Sequence, residues 1–296
     1  MIIKFWGVRG SLPTPSKNTI KYGGNTACVE LRNRLGEILI IDAGTGIRML
    51  GSQLMKEFGK NPIEAQILLS HTHWDHIQGI PFFIPLYIPG NKFDFIGPYG
   101  TKRDLKDIIN LQMDHDFFPL NFDGLPSSNF FKQMGDDEET NYKHFNIKTK
   151  VLNHGGLGSV IGFKISFENK TVVYSSDHEG YELFFKSNSG KTQKVIDNME
   201  AKYRKFIEGA DLLIHDAQYD SEDYNKKKGW GHSSIDYAIN IALAAAVKKL
   251  YIIHYDPDYS DEKIDGIIES KKKFIEENEL TGFELAAAVE GLEIKI

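Results

Sequence analysis

The sequence predicts an α/β (α+β) protein in which two mixed β-sheets pack face to face and helices cover their outer sides. Two observations carry this prediction. Some strand-like runs form meander-like pairs, such as 27–33 followed by 37–42. Others alternate with helical patterns, as in the unit of strand 37–42, helix 46–58 and strand 66–70. Elements of both kinds bury their apolar faces when two sheets pack together beneath helices.

The individual elements follow from apolar periodicity and from turn residues. Strands are predicted at 2–6, 27–33, 37–42, 66–70, 145–151, 160–167, 171–176, 211–215, 249–254 and about 284–295. Helices are predicted at about 46–58, 102–112, 193–208, 234–247 and 261–277. The segment 113–143 is irregular and rich in Phe, Asp, Asn and Gly. Its pairs Phe117-Phe118 and Phe130-Phe131 predict either a lid over a site or a packed surface loop.

Composition limits the classes of partner. The chain has 35 Lys and Arg against 41 Asp and Glu, which gives a net charge of −6. The lysine triplets at 226–228 and 271–273 are short and typical of solvated surface. A generic nucleic-acid-binding protein usually presents a basic face, so we expect a small substrate and no strong nucleic-acid signature. A homodimer is left open.

The single cysteine and the hydropathy pattern indicate a compartment. Cys28 lies in an apolar run typical of a buried strand. Because it is the single cysteine, it cannot form an intrachain disulfide. The stretch Ile2–Phe5 has the pattern of a strand rather than of a signal sequence, and no apolar run approaches the roughly 18 residues of a membrane span. The sequence therefore predicts a cytoplasmic protein without membrane contact.

The hexapeptide His-Thr-His-Trp-Asp-His at 71–76 is typical of a metal site. It directly follows the apolar run 67–70, at the end of a predicted buried strand. His71 and His73 point to the same side at period two, so together they can hold one metal ion. The chain then turns, and Asp75 and His76 aim elsewhere. The simplest arrangement is two neighbouring ions, one for each pair of ligands.

Three other predicted strands also end at a residue that can bind metal. These residues are His154, Asp177 and His254. Rigid strands place such side chains accurately, while the loops beyond them leave the site open. With the hexapeptide they make seven ligands that span residues 71 to 254. Most of the chain must converge on one site, so we predict a single domain over 1–296.

These motifs resemble those of the metallo-β-lactamase superfamily, and within it those of the ribonuclease Z-like and phosphodiesterase branch. The resemblance rests on the H-x-H-x-D-H hexapeptide followed by the separate His, Asp and His. It spans nearly the whole chain, through the segments 5–11, 22–26, 41–46 and 288–292. It implies a four-layer αββα sandwich. His73 stands where di-iron redox members carry Glu, so the resemblance implies hydrolysis.

The resemblance also implies how the ligands divide. One metal ion would be bound by His71, His73 and His154, the other by Asp75, His76 and His254, and both by Asp177. A bridging carboxylate screens two cations held about 3.5–4 Å apart. Asp75 would serve catalysis as well as metal binding. Zinc is the first choice for these ions, and nitrogen and oxygen ligands also permit manganese or iron.

A proton donor is implied by the segment Gly-Trp-Gly-His-Ser-Ser at 229–234. Its His232 matches a histidine that acts in the family as a proton donor rather than as a ligand. Asp216 matches the carboxylate that lies behind this histidine. Such a carboxylate fixes the tautomer of the imidazole and raises its basicity. Ser233 or Ser234 would cap the helix that follows.

The glycine-rich turns are interpreted as structural. Gly7–Ser11 and Gly23–Asn25 do not follow the spacing of phosphate-binding loops, and glycines at turns usually provide backbone freedom. Arg9 or Asn25 would lie near the mouth of the site, because a guanidinium fork suits phosphate oxygens. Asp42, before a turn into a helix, is interpreted as structural.

The ligand set and His232 together imply hydrolysis. Two cations lower the pKa of a shared bridging water, so that hydroxide is available at neutral pH, and His232 protonates the leaving alkoxide. A phosphodiester suits this chemistry best, because its leaving oxygen needs a proton and its two anionic oxygens suit two metal ions. We therefore predict a metal-dependent phosphodiesterase that acts on a small or cyclic nucleotide.

Three alternatives stay open. A ribonuclease Z-like endonuclease would keep the chemistry but need a basic groove. The tRNA-cutting members also carry a protruding Gly/Pro-rich arm, and no such segment is apparent between 182 and 228. Lactone or thioester hydrolysis would use the same site without an essential proton donor. A non-catalytic sensor or binding module would keep the metal-bearing fold alone.

Overall fold

Seven strands form the first of two mixed sheets in the computed structural model, which describes residues 1–100, 102–155, 159–181 and 192–296. They are β1 (Ile2–Gly7), β2 (Cys28–Arg32), β3 (Ile38–Ile41), β4 (Glu64–Leu68), β5 (Lys92–Pro98), β6 (Ser128–Met134) and β14 (Glu293–Lys295). Their order across the sheet is β14-β1-β2-β3-β4-β5-β6. The pairs from β14 to β3 are antiparallel, and those from β3 to β6 are parallel.

The second sheet also has seven strands. They are β7 (Glu139–Tyr142), β8 (Phe145–Leu152), β9 (Val160–Phe167), β10 (Lys170–Ser175), β11 (Leu212–Asp216), β12 (Lys249–Ile253) and β13 (Glu284–Ala287). Their order is β13-β12-β11-β10-β9-β8-β7. An antiparallel meander runs from β7 to β10, and parallel pairs continue from β10 to β13.

Helices cover the outer face of each sheet. Within the described ranges they are α1 (Ile47–Phe58), α2 (Trp74–Ile77), α3 (Leu105–Gln112), α4 (Gln193–Ile207), α5 (Ser221–Lys226), α6 (Ile235–Ala244) and α7 (Asp261–Glu277). Apolar side chains of α1 and α3 pack with the first sheet, and those of α4, α6 and α7 with the second. Of the helices that the structure describes, none is long and apolar enough to cross a membrane.

The strand β3 shows why four layers form. Its side chains are all buried, but they alternate between two cores. Ile38 and Ile40 pack on the side of α1, whereas Leu39 and Ile41 pack between the two sheets. Burying each such side chain contributes about 1.5–3 kcal/mol, so a strand that is apolar on both faces requires a layer on each side. The predicted fold, two mixed sheets packed face to face with helices outside, is confirmed.

The segment 113–143 corrects one prediction. It is not irregular throughout, because it contains β6 and β7, and β5 before it was not predicted either. The ring of Phe131 in β6 stacks on that of Phe95 in β5, with 5.0 Å between the centroids. The Phe130-Phe131 pair therefore belongs to the sheet and not to a lid. A lid role for the remainder, with Phe117-Phe118, stays a prediction.

The last predicted strand is also corrected. Instead of one strand at 284–295, the chain forms β13 in the second sheet and β14 in the first. Gly291 turns the chain between them with a positive φ of 85°, and its N–H donates to the carbonyl of Phe5. A single apolar run thus crosses from one sheet to the other. The single domain over 1–296 stays a prediction.

Candidate metal centre

The candidate ligands meet at one edge of the sandwich, where strands of both sheets end. The first sheet contributes the hexapeptide 71–76, which follows β4 and runs into α2. The second sheet contributes His154 after β8, Asp177 after β10 and His254 after β12. Residues that are far apart in the chain are thereby gathered into two groups, and within each group the candidate ligand atoms lie within 4.8 Å of one another.

The first group contains His71, His73, His154 and Asp177. Nε2 of His154 lies 3.3 Å from Nδ1 of His73. The carboxylate oxygen Oδ2 of Asp177 lies 3.4 Å from Nε2 of His71 and 3.6 Å from Nε2 of His154. Three imidazole nitrogens and one carboxylate oxygen therefore converge on a single point, the donor set typical of zinc.

The second group contains Asp75, His76, His254 and the same Asp177. Nε2 of His76 lies 3.3 Å from Nε2 of His254, and both nitrogens face Oδ2 of Asp75 at 3.3 and 3.1 Å. The other oxygen of Asp177, Oδ1, lies 3.3 Å from His76 Nε2 and 3.2 Å from His254 Nε2. Asp177 thus presents one oxygen to each group, as a bridging carboxylate would.

The hydrogen bonds around the histidines fit metal ligands. The ring nitrogen remote from the groups is held by an oxygen in four cases: Ser70 Oγ for His71, Asp42 for His76, the Gly231 carbonyl for His154 and Gln218 for His254. The other nitrogen is left to face the group, which is how metal-binding histidines are usually oriented. Nε2 of His71 is buried and has no hydrogen-bond partner among the described residues. A cation in the first group would satisfy it.

The electrostatics of the groups also favour a cation. Burial alone would raise the pKa of Asp177, but His254 and His76 outweigh it and hold that pKa well below its usual range. Burial likewise opposes protonation of His254, yet Asp177 and a hydrogen bond to Asp75 raise its pKa to about 9. The pKa of His71, by contrast, is lowered well below its usual value by burial and then by His76. The two carboxylates thus attract positive charge into the space between the rings.

His232 lies beside both groups without belonging to either. Its ring stacks on that of His254 at 4.9 Å and meets that of His154 edge-on at 5.0 Å. Its Nδ1 lies 3.1 Å from Oδ2 of Asp216, which leaves Nε2 unengaged by this carboxylate. Asp216 and His232 also form a third cluster with His254, so the geometry alone permits a ligand role for His232. The proton-donor role therefore stays a proposal.

The region of the chain that holds the candidate ligands matches a known protein family. A profile of the beta-lactamase superfamily domain matches residues 38–255, the part of the chain that holds all seven candidate ligands. The chain belongs to the beta-lactamase superfamily. Ribonuclease Z of Staphylococcus epidermidis is 22% identical to this superfamily member over 305 residues. The alignment covers 90% of this chain and 92% of the ribonuclease Z chain.

Two solved structures share the fold. Human tRNase Z, short form, superimposes with a TM-score of 0.64 at 21% identity and covers 100% of this chain and 99% of its own. Yeast PDE1 superimposes with a TM-score of 0.66 at 14% identity, with the same coverage. At these identities the likeness shows the fold alone, and it agrees with the metallo-β-lactamase type predicted from the motifs. By its family match, the chain is a hydrolase of the metallo-β-lactamase fold.

Asp42 supports the site of this superfamily member in a way that the sequence did not reveal. It was interpreted as structural, but its carboxylate accepts hydrogen bonds from the backbone and hydroxyl of Ser70 and from the hydroxyl of Tyr174. The same carboxylate lies 2.9 Å from Nδ1 of His76. Asp42 therefore orients one candidate ligand. Its place directly after the apolar run of β3 is the sequence signal that could have indicated this role, and the structure adds an unusual backbone φ of 58°.

Asp42→Asn is expected to weaken metal binding by about 10–100-fold, the usual effect of removing such a supporting carboxylate. The amide keeps the size of the side chain but removes the charge that polarises His76. Competition with a chromophoric chelator measures the affinity. Asp94→Asn, which alters a half-buried carboxylate in β5 of the same sheet, is the control and should leave it unchanged. Equal affinities in both variants would remove Asp42 from the site.

Arg9 and Asn25 do not line the mouth as predicted. Arg9 is fully buried, and its guanidinium donates to the carbonyls of Gly23 and Tyr259. The side-chain amide of Asn25 donates to the carboxylate of Glu290. Both residues hold the glycine-rich turns in place, so neither is free to bind phosphate. This confirms the structural interpretation of those turns.

The turn after β1 packs directly against a candidate ligand. A Cβ on Gly10 would lie 2.3 Å from Nδ1 of His254, so no larger residue fits there. The next residue, Ser11, donates its backbone N–H to Oδ2 of Asp75 at 2.7 Å. The turn thus touches two ligands of the second group, a contact between distant segments that the sequence did not predict.

Gly10→Ala is expected to displace His254, to reduce the metal bound by the second group and to lower the melting temperature. Elemental analysis and thermal unfolding measure the two effects. Gly266→Ala is the matched control, because Gly266 lies on the exposed face of helix α7 and nothing lies within 4 Å of its Cβ position. That change should stabilise the fold by about 0.5–1 kcal/mol. Normal metal content in Gly10→Ala would contradict the packing argument.

Glu179 braces the loop that carries His232. It is fully buried, and its carboxylate accepts hydrogen bonds from the hydroxyl of Tyr224 and from the backbone of Gly229 and Gly231. The carbonyl of Gly231 in turn lies 2.8 Å from Nδ1 of His154. Glu179 therefore ties the strand end that bears Asp177 to both sides of this loop. No local sequence pattern around Glu179 indicates this role.

Proposed function

We propose that the protein is a metal-dependent phosphodiesterase that acts on a small or cyclic nucleotide. The observation that carries the proposal is the position of His232, which stacks beside His254 while Asp177 faces both ligand groups. A proton donor next to two metal positions matches the needs of a phosphodiester, whose leaving oxygen departs as an alkoxide unless it is protonated. The proposed seven ligands are those of the two groups.

Each residue has a defined part in this proposal. Divalent cations, zinc as first choice, would supply Lewis acidity that makes hydroxide available and neutralises the phosphate oxygens. Asp177 keeps the two ligand groups together, and Asp75 completes the second. Asp216 accepts a hydrogen bond from Nδ1–H of His232 and so stabilises the doubly protonated ring, whose second proton, on Nε2, would go to the leaving oxygen. Burial of Asp216 and of most ligands excludes water from competing hydrogen bonds.

A ribonuclease Z-like endonuclease is the second candidate. Relatives named Ribonuclease Z align with about nine tenths of the chain, which favours a nucleic-acid substrate and does not fit the expectation of a small one. Against this, the net charge is −6. In the described part of 182–228, residues 192–228 form α4, β11 and α5 without a protruding arm. Residues 182–191, where part of that prediction falls, lie outside the described residues.

Two other functions are also proposals. Lactone or thioester hydrolysis would leave His232 without an essential role. A non-catalytic sensor or binding module would leave both ligand groups without a catalytic role. A cytoplasmic location agrees with the single cysteine, Cys28, which is free and buried in β2. The choice between zinc, manganese and iron, and a homodimer, stay predictions.

The proposed activity is tested by comparing two chromogenic substrates. The metal-loaded protein should release p-nitrophenol faster from bis(p-nitrophenyl) phosphate than from p-nitrophenyl acetate. A panel of cyclic and linear nucleotides, with a structured RNA beside them, then separates the two candidates. Cleavage of cyclic nucleotides supports the phosphodiesterase, and tight, salt-sensitive binding and cleavage of the RNA supports the endonuclease. Turnover of the acetate alone would reject both.

A further inference from the structure

Two tryptophans expose their rings to solvent beside the candidate metal centre. The chain has three tryptophans, and Trp74 and Trp230 are 79% and 64% exposed. The third, Trp6, is half-buried and donates from its indole to Glu30. Exposed tryptophan surface forfeits hydrophobic stabilisation that burial would supply, so an exposed ring close to each of two candidate metal ligands points to a bound partner.

The exposure of the ligands shows where the centre opens. His71, Asp75, His76, Asp177 and His254 are buried, whereas His73 is exposed and His154 is half-buried. A substrate therefore reaches the metals past His73 and His154, whose ring centroids are 5.0 Å apart.

Each tryptophan is tied to one of the two residues that form this opening. Trp74 directly follows His73 and begins α2. Trp230 directly precedes Gly231, whose carbonyl lies 2.8 Å from Nδ1 of His154. Trp74 is thus adjacent in sequence to His73, and Trp230 is adjacent to the residue that contacts His154.

Trp230 also lies on the side of the proposed proton donor. Nζ of Lys227 is 5.8 Å from the centre of the Trp230 ring and 4.7 Å from that of Tyr219. The ring of Tyr219 meets that of His232 edge-on at 6.0 Å. Lys227 is held in this position by Asp256, with 2.6 Å between Nζ and the carboxylate. A row of aromatic and cationic side chains therefore leads from the rim to His232.

We propose that Trp74 and Trp230 form a stacking site for the nucleobase of the substrate. The inference rests on the proposed phosphodiesterase activity and adds the substrate class to it. A planar base is recognised by an exposed aromatic face whatever its hydrogen-bonding edge, because every base has a π-face. Stacking on such a ring suits a mononucleotide whose phosphate reaches the metals beside His73 and His154. An aliphatic phosphodiester would gain nothing from either ring.

The test compares two substrates with one leaving group. Thymidine 5′-(p-nitrophenyl phosphate) carries a base, and methyl p-nitrophenyl phosphate does not. In the wild type, kcat/KM should be higher for the thymidine ester. Trp74→Ala or Trp230→Ala should lower the ratio of the two values by about 5- to 100-fold, the usual range for one stacked base, mainly through KM. The Phe variants at both positions should retain most of the ratio.

Phe130→Ala is the matched control, because Phe130 is 62% exposed on β6, away from the ligands. Its ratio should equal that of the wild type. A wild-type ratio near one, or an unchanged ratio in all Trp variants, would overturn the stacking site while leaving the phosphodiesterase intact. Failure of the wild type to hydrolyse either ester would instead reject the proposed function.

Tryptophan fluorescence gives a second readout that does not require turnover. Thymidine monophosphate should quench the emission of the metal-loaded protein, and ribose 5-phosphate should not. In Trp74→Phe, Trp230 is the remaining exposed tryptophan, so its own quenching can be followed. Equal quenching by the sugar phosphate would show that the phosphate rather than the base is sensed, and would overturn the inference.

Discussion

Asp177→Ala is expected to lose most of one metal ion per chain and nearly all turnover. Asp177 offers Oδ2 to the first ligand group and Oδ1 to the second, so its removal deprives both groups of a ligand. It also removes the negative charge that screens the two cations from each other. Elemental analysis and the rate on bis(p-nitrophenyl) phosphate measure the two losses.

Asp211→Ala is the control for this variant. Asp211 is also a buried carboxylate of the second sheet, but it precedes β11 at the end opposite the site and pairs with Lys248. Its metal content should be normal. Two ions retained in Asp177→Ala, together with a normal rate, would remove Asp177 from the bridge.

His232→Ala is expected to keep its metal content and to lose about 10²–10⁴-fold in rate on a phosphodiester with a poor leaving group, the usual scale for a positioned proton donor. The loss should shrink for p-nitrophenyl esters, because p-nitrophenolate hardly needs protonation. Asp216→Asn should give a smaller loss of the same pattern, since its carboxylate only orients and polarises the imidazole. Rates on a series of leaving groups, with elemental analysis, provide the measurement.

His144→Ala, at an exposed histidine that pairs with Glu37, is the control and should behave as the wild type. An equal loss for good and poor leaving groups would mean that His232 positions the substrate instead. Loss of a metal ion from His232→Ala would mean that the third cluster, with Asp216 and His254, binds metal.

The grouping of the candidate ligands was predictable because each one follows a strand. A strand of apolar residues followed by His or Asp is visible within one short stretch of sequence, as before His71, Asp177 and His254. The strands of an α/β sandwich must then bring those ends to one edge. The separation of His71 and His73 from Asp75 and His76 follows from the turn after His73, where α2 begins. The assignment of the other three ligands to the two groups came from the family resemblance.

The contacts that support the ligands were not predictable in the same way. Asp42 accepts from Tyr174, which lies 132 residues further along the chain, and Glu179 accepts from Gly231 across 52 residues. Such pairs depend on how the two sheets and their loops pack, and no local pattern marks them. For Arg9 the prediction was wrong in the opposite direction. Its charge suggested phosphate binding, but its guanidinium is buried and donates to the backbone carbonyls of Gly23 and Tyr259, so it stabilises the turns instead.

The missed strands have a physical explanation as well. β6 lies at the edge of the first sheet, and its side chains alternate between exposed and half-buried. Phe130 is exposed and Phe131 is packed, so the pair reads as an apolar cluster rather than as an alternating strand. An edge strand with little burial is recognised mainly by its pairing with a neighbouring strand. The neighbour of β6 is β5, which was not predicted either.

In the proposed function, the two ligand groups hold the metal ions that hydrolyse phosphodiesters. This is tested by p-nitrophenol release from bis(p-nitrophenyl) phosphate by protein stripped with a chelator, as a divalent metal such as zinc is added back. We expect no release from the stripped protein and a rate that saturates at two equivalents of metal per chain, one for each group. Unchanged release after stripping, or no release at any amount of added metal, would contradict it.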